Sequence, residues 1–87
     1  MIPIAEVFEL KLLELLMDAE NKELDFVDIV SGDLHRLVGG YPADDGNHRM
    51  PVCCKVMKDL MKDEDQILQE PPKGHGATLK IRYCLPR

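Results

Sequence analysis

The stretch NHRMPVCCKVMKDLMK, residues 47–62, and the change of rhythm that follows it decide how this chain is read. At roughly 100° per residue on a helix, Cys53, Val56, Met57 and Leu60 share one face, flanked by Met50 and Met61, while His48, Lys55, Lys58, Asp59 and Lys62 share the other. Pro51 suits a first helical turn, and Asn47 is a candidate cap. The spacing predicts a helix with one core side and one mostly cationic side. From residue 65 the period becomes two. Ile67 and Leu68 lie in a first strand over 65–70, and PPKGHG at 71–76 forms a glycine-containing hairpin tip. Over 77–85, Leu79, Ile81, Tyr83 and Leu85 then alternate with Thr78, Lys80, Arg82 and Cys84. The second strand is expected to bury the apolar row and expose a basic one.

Toward the amino end, Pro3 is placed to start a helix in which Ile4, Val7, Phe8, Leu12, Leu15 and Ala19 recur at three- and four-residue spacing. Leu10, Leu13, Leu16 and Met17 widen the stripe beyond one core-facing side. Two explanations stay open: burial on two sides, or a homodimer through the helix over residues 3–19. Asn21 and Lys22 end this helix, and Leu24, Phe26 and Ile29 then suit a short strand or extended connection. Ser31 is a candidate N-cap with Asp33 in the first turn, opening a short helix over 32–38 that buries Leu34, Leu37 and Val38. Gly39 and Gly40 stop it, and YPADDGN at 41–47 is turn chemistry.

These elements fit one domain, residues 1–87, since 87 residues close one small core and not two. An apolar content of 45% suits a globular fold, and no window approaches the roughly 18 uncharged apolar residues of a membrane span. Glu6, Glu9, Lys11 and Glu14 interrupt the early apolar runs, so no signal peptide is expected. Three cysteines, two of them adjacent, do not resemble a disulfide framework, which points to reduced thiols and a cytoplasmic location.

The formal net charge of −5 argues against nucleic acid until its distribution is counted. Residues 1–46 carry 11 acidic and 3 basic side chains, net −8; residues 47–87 carry 5 acidic and 8 basic, net +3. Such asymmetry is expected where one surface faces a polyanion. The candidate contacts are Asn47, His48 and Arg49 at the start of the third helix, Lys55, Lys58 and Lys62 along it, Lys73 and His75 at the hairpin tip, and Lys80 and Arg82 on the last strand. A helix fits the major groove with its amino end toward the bases, while lysines follow phosphates. Both basic surfaces are expected to line one groove. Any one of these lysines is by itself ordinary solubilising chemistry.

Catalytic and metal chemistry find little support. Adjacent helical cysteines diverge by about 100° and lack the spacer of a zinc pair, so Cys53 reads as a small core residue and Cys54 as its edge. His35, His48 and His75 have no nucleophile setting, and Gly74 and Gly76 precede a strand where a phosphate loop needs a helix. A non-enzyme without metal or cofactor is expected.

The order helix, short strand, short helix, turn, helix, hairpin resembles the winged helix-turn-helix superfamily over nearly the whole chain. That resemblance implies an α+β fold of three helices with a C-terminal two-stranded hairpin, the wing, and the function of a duplex DNA-binding regulator of transcription. LHRLVGGYP from Leu34, HRMPVCCKVM from His48 and PPKGHGATLKIRY from Pro71 also resemble a small prokaryotic module found alone or appended to restriction-type nucleases. The competing function is a protein-interaction module on the same scaffold, suited to the acidic first half and the broad stripe of the first helix.

Overall fold

The structure is a computed structural model that describes residues 5–38, 50–72 and 76–86. In chain order it contains α1 (Ala5–Asn21), β1 (Phe26–Val30), α2 (Ser31–Val38), α3 (Met50–Asp59), β2 (Gln66–Gln69) and β3 (Lys80–Cys84). The architecture is α+β, with three helices and a three-stranded antiparallel sheet in the order β1-β3-β2. The sheet therefore has one strand more than the expected two-stranded hairpin. Residues 26–30, which the sequence allowed to be a strand or a connection, pair along the full length of β3 from Phe26↔Cys84 to Val30↔Lys80.

The period-two row of β3 supplies the floor of the core. Leu79, Ile81 and Tyr83 are completely buried, and Phe8, Leu12 and Leu16 of α1, Leu34 of α2, and Met50, Cys53, Val56 and Met57 of α3 close over them. The Tyr83 hydroxyl donates 2.8 Å to the Met57 carbonyl, so the one polar atom of this large buried ring is satisfied where it meets α3. Leu37, expected inside, is instead 55% exposed, because the short α2 turns Leu34 and His35 toward the core.

Helix ends follow local chemistry. α1 closes with Glu23 N–H to Glu20 carbonyl at 2.9 Å and Leu24 N–H to Ala19 carbonyl at 3.2 Å, with Glu23 at φ 60°. This is a Schellman closure in which a glutamate occupies the left-handed site that glycine usually fills. α3 ends at Asp59, short of the predicted Lys62. There the buried Asp65 carboxylate accepts from the Lys62 N–H and the Cys84 N–H, both at 2.8 Å, and turns the chain into β2.

The junction of β1 and α2 differs most from expectation. Ser31 is the first residue of α2, and its hydroxyl donates to the Gly76 carbonyl on the approach to β3. The backbone of that same approach serves the start of the helix: Ser31 N–H donates 2.8 Å to the Leu79 carbonyl and Gly32 N–H 3.0 Å to the Ala77 carbonyl. The β1–β3 ladder thus runs on into the helix and satisfies N–H groups that a helix start leaves open. A Cβ on Gly32 would lie 2.9 Å from the Ala77 carbonyl oxygen, so a glycine is required by close backbone approach. Among the described residues, no helix is long and apolar enough to cross a membrane.

Gly32→Ala is accordingly expected to lose about 1–3 kcal/mol through forced separation of α2 from the β3 approach. Urea unfolding monitored by circular dichroism checks this; an unchanged midpoint would show that the contact relaxes freely. Tyr83→Phe, which leaves the buried Met57 carbonyl without its donor, is expected to lose about 1–2 kcal/mol in the same assay.

Candidate functional site

Five of the ten candidate contacts, Asn47, His48, Arg49, Lys73 and His75, lie outside the described residues. Lys55 and Lys58 are on α3, Lys62 is past its end, and Lys80 and Arg82 are on β3. They do not gather on one surface. α3 packs over the inner row of β3, where Tyr83 reaches it, whereas Lys80 and Arg82 alternate with that row and lie on the opposite face of the sheet. The expectation of one groove lined by both the α3 lysines and the β3 cations is corrected on this point, because strand alternation separates them.

Most of these cations also have carboxylate partners. Lys55 Nζ lies 2.7 Å from Asp59 one turn along α3, and Lys58 Nζ lies 2.9 Å from Glu70 just after β2. Arg82 is held most firmly: Nε and Nη2 donate to the two Asp28 oxygens at 2.8 and 3.1 Å, across the register pair of β1 and β3. The Arg82 guanidinium also stacks on the Phe26 ring at 4.1 Å. Such a two-pronged, stacked arginine is fixed in geometry as well as in charge. Hydrogen bonding to Arg82 pulls the Asp28 carboxyl below its usual range, and the same bond raises the guanidinium further.

Asp28, Glu70 and Phe26 were not singled out as site residues in the sequence. Asp28 had a detectable signal, since it alternates with Phe26 and Val30 on one face of a strand-like run. Its partner became evident only once β1 was seen beside β3. Glu70 carried no such signal, because its meeting with Lys58 depends on how the α3–β2 turn folds back.

The cysteines are free thiols. Cys53 and Cys54 are both buried, so Cys54 lies inside the core and not at its edge. Cys53 Sγ donates to the Ser31 carbonyl at 3.5 Å and Cys54 Sγ to the Gly76 carbonyl at 3.3 Å. Burial pushes the Cys53 thiol up to about 12, and burial raises that of Cys54 as well. Protonated, enclosed thiols are poor nucleophiles and poor metal ligands. His35 is buried edge-on against Phe8 with ring centroids 4.9 Å apart, as a core residue. Among the described residues no three His, Cys, Asp or Glu side chains are grouped to hold a metal ion.

The Asp28–Arg82 pair adds stability above the ordinary carboxylate range. That contribution is lost as pH falls through the depressed Asp28 value, because the unfolded carboxylate takes up its proton first. In Arg82→Gln the Asp28 titration, followed by carboxyl NMR, is expected to return upward toward an ordinary aspartate. A midpoint unmoved by the substitution would contradict the assignment.

Searches of protein-family models, of curated proteins and of solved structures return no match to this chain.

Proposed function

We propose that this chain is a winged-helix protein that binds duplex DNA as a regulator of transcription, with the amino end of α3 in the major groove and the β2–β3 connection on the flanking backbone. The observation that carries the reading is the succession α1, β1, α2, α3, β2, β3, in which β1 pairs with the second strand of the hairpin and anchors it to the helices. That is the order of elements on which the winged-helix resemblance rests.

Charge refines the reading. After residue 46 the described residues hold five cations, Lys55, Lys58, Lys62, Lys80 and Arg82, and five carboxylates, Asp59, Asp63, Glu64, Asp65 and Glu70. They cancel. The excess of +3 therefore belongs to Arg49, Lys73 and Arg87. Arg49 immediately precedes α3 and Lys73 lies in the β2–β3 connection, which are the two regions assigned here to bases and to backbone. Lys55 and Lys58 have a secondary part, since exposed ion pairs are worth only about 0–1 kcal/mol and can be exchanged for phosphate, but each exchange leaves Asp59 or Glu70 facing the DNA. Arg82, tied to Asp28 and Phe26, belongs to the scaffold in this reading, and Lys80 shares its face of the sheet.

The neutralised α3 face and the exposed Leu10, Leu13 and Met17 of α1 favour the competing reading, a protein-interaction module on the same scaffold. A salt-dependent titration against random duplex DNA separates the two. On the DNA reading, affinity falls steeply with salt, and Arg49→Ala and Lys73→Ala each lower the slope by about one. Lys55→Ala is expected to change it less, because Asp59 remains. Absence of affinity at low salt would leave the interaction module as the surviving reading.

A further inference from the structure

The adjacent thiols of α3 are buried like core residues, yet each donates to a backbone carbonyl outside its own helix. Cys53 Sγ lies 3.5 Å from the Ser31 carbonyl and Cys54 Sγ 3.3 Å from the Gly76 carbonyl. Neighbouring positions on a helix diverge by about 100°, which is what lets the pair reach two separate targets. Ser31 starts α2, and Gly76 ends the β2–β3 connection, past the last register pair of β1 with β3, Val30↔Lys80. The Ser31 hydroxyl donates to the same Gly76 carbonyl and is hydrogen-bonded to the Cys54 thiol. One carbonyl at the end of the connection thus receives a side-chain donor from α2 and another from α3, besides the Leu79 N–H at 3.4 Å.

The other end of the connection meets the same point. A Cβ on Gly76 would lie 3.1 Å from the Cβ of Pro71, which is buried just after β2. The connection is therefore closed at its root, and the root is tied to α2 and α3 by hydrogen bonds. Burial holds both thiols in the protonated form, the Cys53 thiol at about 12 and that of Cys54 above its ordinary value, so both remain donors at neutral pH. Valine at position 54 would fill a similar core volume but leave the Gly76 carbonyl with one donor fewer.

We propose that Ser31 and Cys54 are positioning residues that hold the β2–β3 connection at a fixed offset from α3, so that backbone contacts by the connection and base contacts by the start of α3 fall in register on one duplex. The proposal rests on the DNA-binding reading above and gives the paired cysteines a part in it. Phosphate contacts set register and orientation, and a connection already held in place has less freedom to lose on binding.

The test measures the salt-dependent affinity of the full chain for random duplex DNA, with Lys73→Ala placed in two backgrounds, wild type and Ser31→Ala with Cys54→Ala. In wild type, Lys73→Ala is expected to lower the salt slope by about one. In the double variant, overall affinity is expected to fall about fivefold, and Lys73→Ala to change it by less than about twofold, because coupled residues are not additive. Cys54→Ser, which keeps a donor, is expected to stay within about twofold of wild type. Leu12→Val, in the core of α1, is expected to lower the unfolding midpoint and leave the Lys73→Ala effect intact, which a merely structural role of Ser31 and Cys54 would also do. Amide hydrogen exchange without DNA is expected to rise about tenfold at Gly32 and Leu79, whose N–H groups bond to the Ala77 and Gly76 carbonyls, in the double variant. Cys54→Val carries the same comparison if the double variant does not fold. An equal Lys73→Ala effect in both backgrounds, or unchanged exchange at Gly32 and Leu79, would overturn the proposal and leave the DNA reading standing. Wild-type chain without DNA affinity at low salt would overturn the DNA reading and this proposal with it.

Discussion

Ser31 and Gly32 stand at the point where a strand becomes a helix, and their N–H groups are taken up by the Leu79 and Ala77 carbonyls as the chain enters β3. Much of the fold rests on this contact. It lets β1 run into α2 without an intervening loop, and it sets the position of α2 against β3 through a backbone approach that leaves no room for a Cβ at Gly32. β3 is then flanked on both edges, by β1 and β2, and its inner row of Leu79, Ile81 and Tyr83 receives all three helices. Removing water from that row is the main driving force, since apolar burial is worth about 25 cal/mol per Å². The backbone contact fixes where the row sits.

The same arrangement sorts the charges. Because β3 is central, its outer row is within cross-strand reach of β1, and Arg82 meets Asp28 in register. Because α3 stops at Asp59 and the chain folds back through Asp65, Lys58 meets Glu70. These pairs are consequences of topology, and they leave the described C-terminal half electrically balanced. The net positive charge of that half is carried by Arg49, Lys73 and Arg87, while α1 carries about half of the acidic excess of residues 1–46. In sequence, then, the cationic surplus stands before α3, in the β2–β3 connection and at Arg87, whereas α1 presents exposed Leu10, Leu13 and Met17 between acidic residues.

Much of this was legible from periodicity. The core rows of α1, α3 and β3 were given by three-, four- and two-residue spacing, and Phe8, Leu12, Val56, Met57, Ile81 and Tyr83 are buried as expected. Periodicity describes one element at a time, and the misreadings arose where two elements meet. Leu37 was expected inside because α2 was read alone. Ser31 was read as a cap because its partner, the Gly76 carbonyl, is 45 residues away. Lys80 and Arg82 were grouped with the α3 lysines because alternation tells which residues share a face but not which face a helix covers. Asp59 was already placed beside Lys55 by helical spacing, whereas Glu70 and Asp28, the partners of Lys58 and Arg82, are brought near only by the folded chain.

The most direct test of the account is a backbone amide NMR map of the chain titrated with random duplex DNA at low salt. The account predicts shifts concentrated in the first turn of α3 from Met50 and around Gly76 at the entry to β3, with the exposed face of α1 unaffected. Shifts centred on Leu10, Leu13 and Met17, or an unchanged spectrum at saturating DNA, would contradict it.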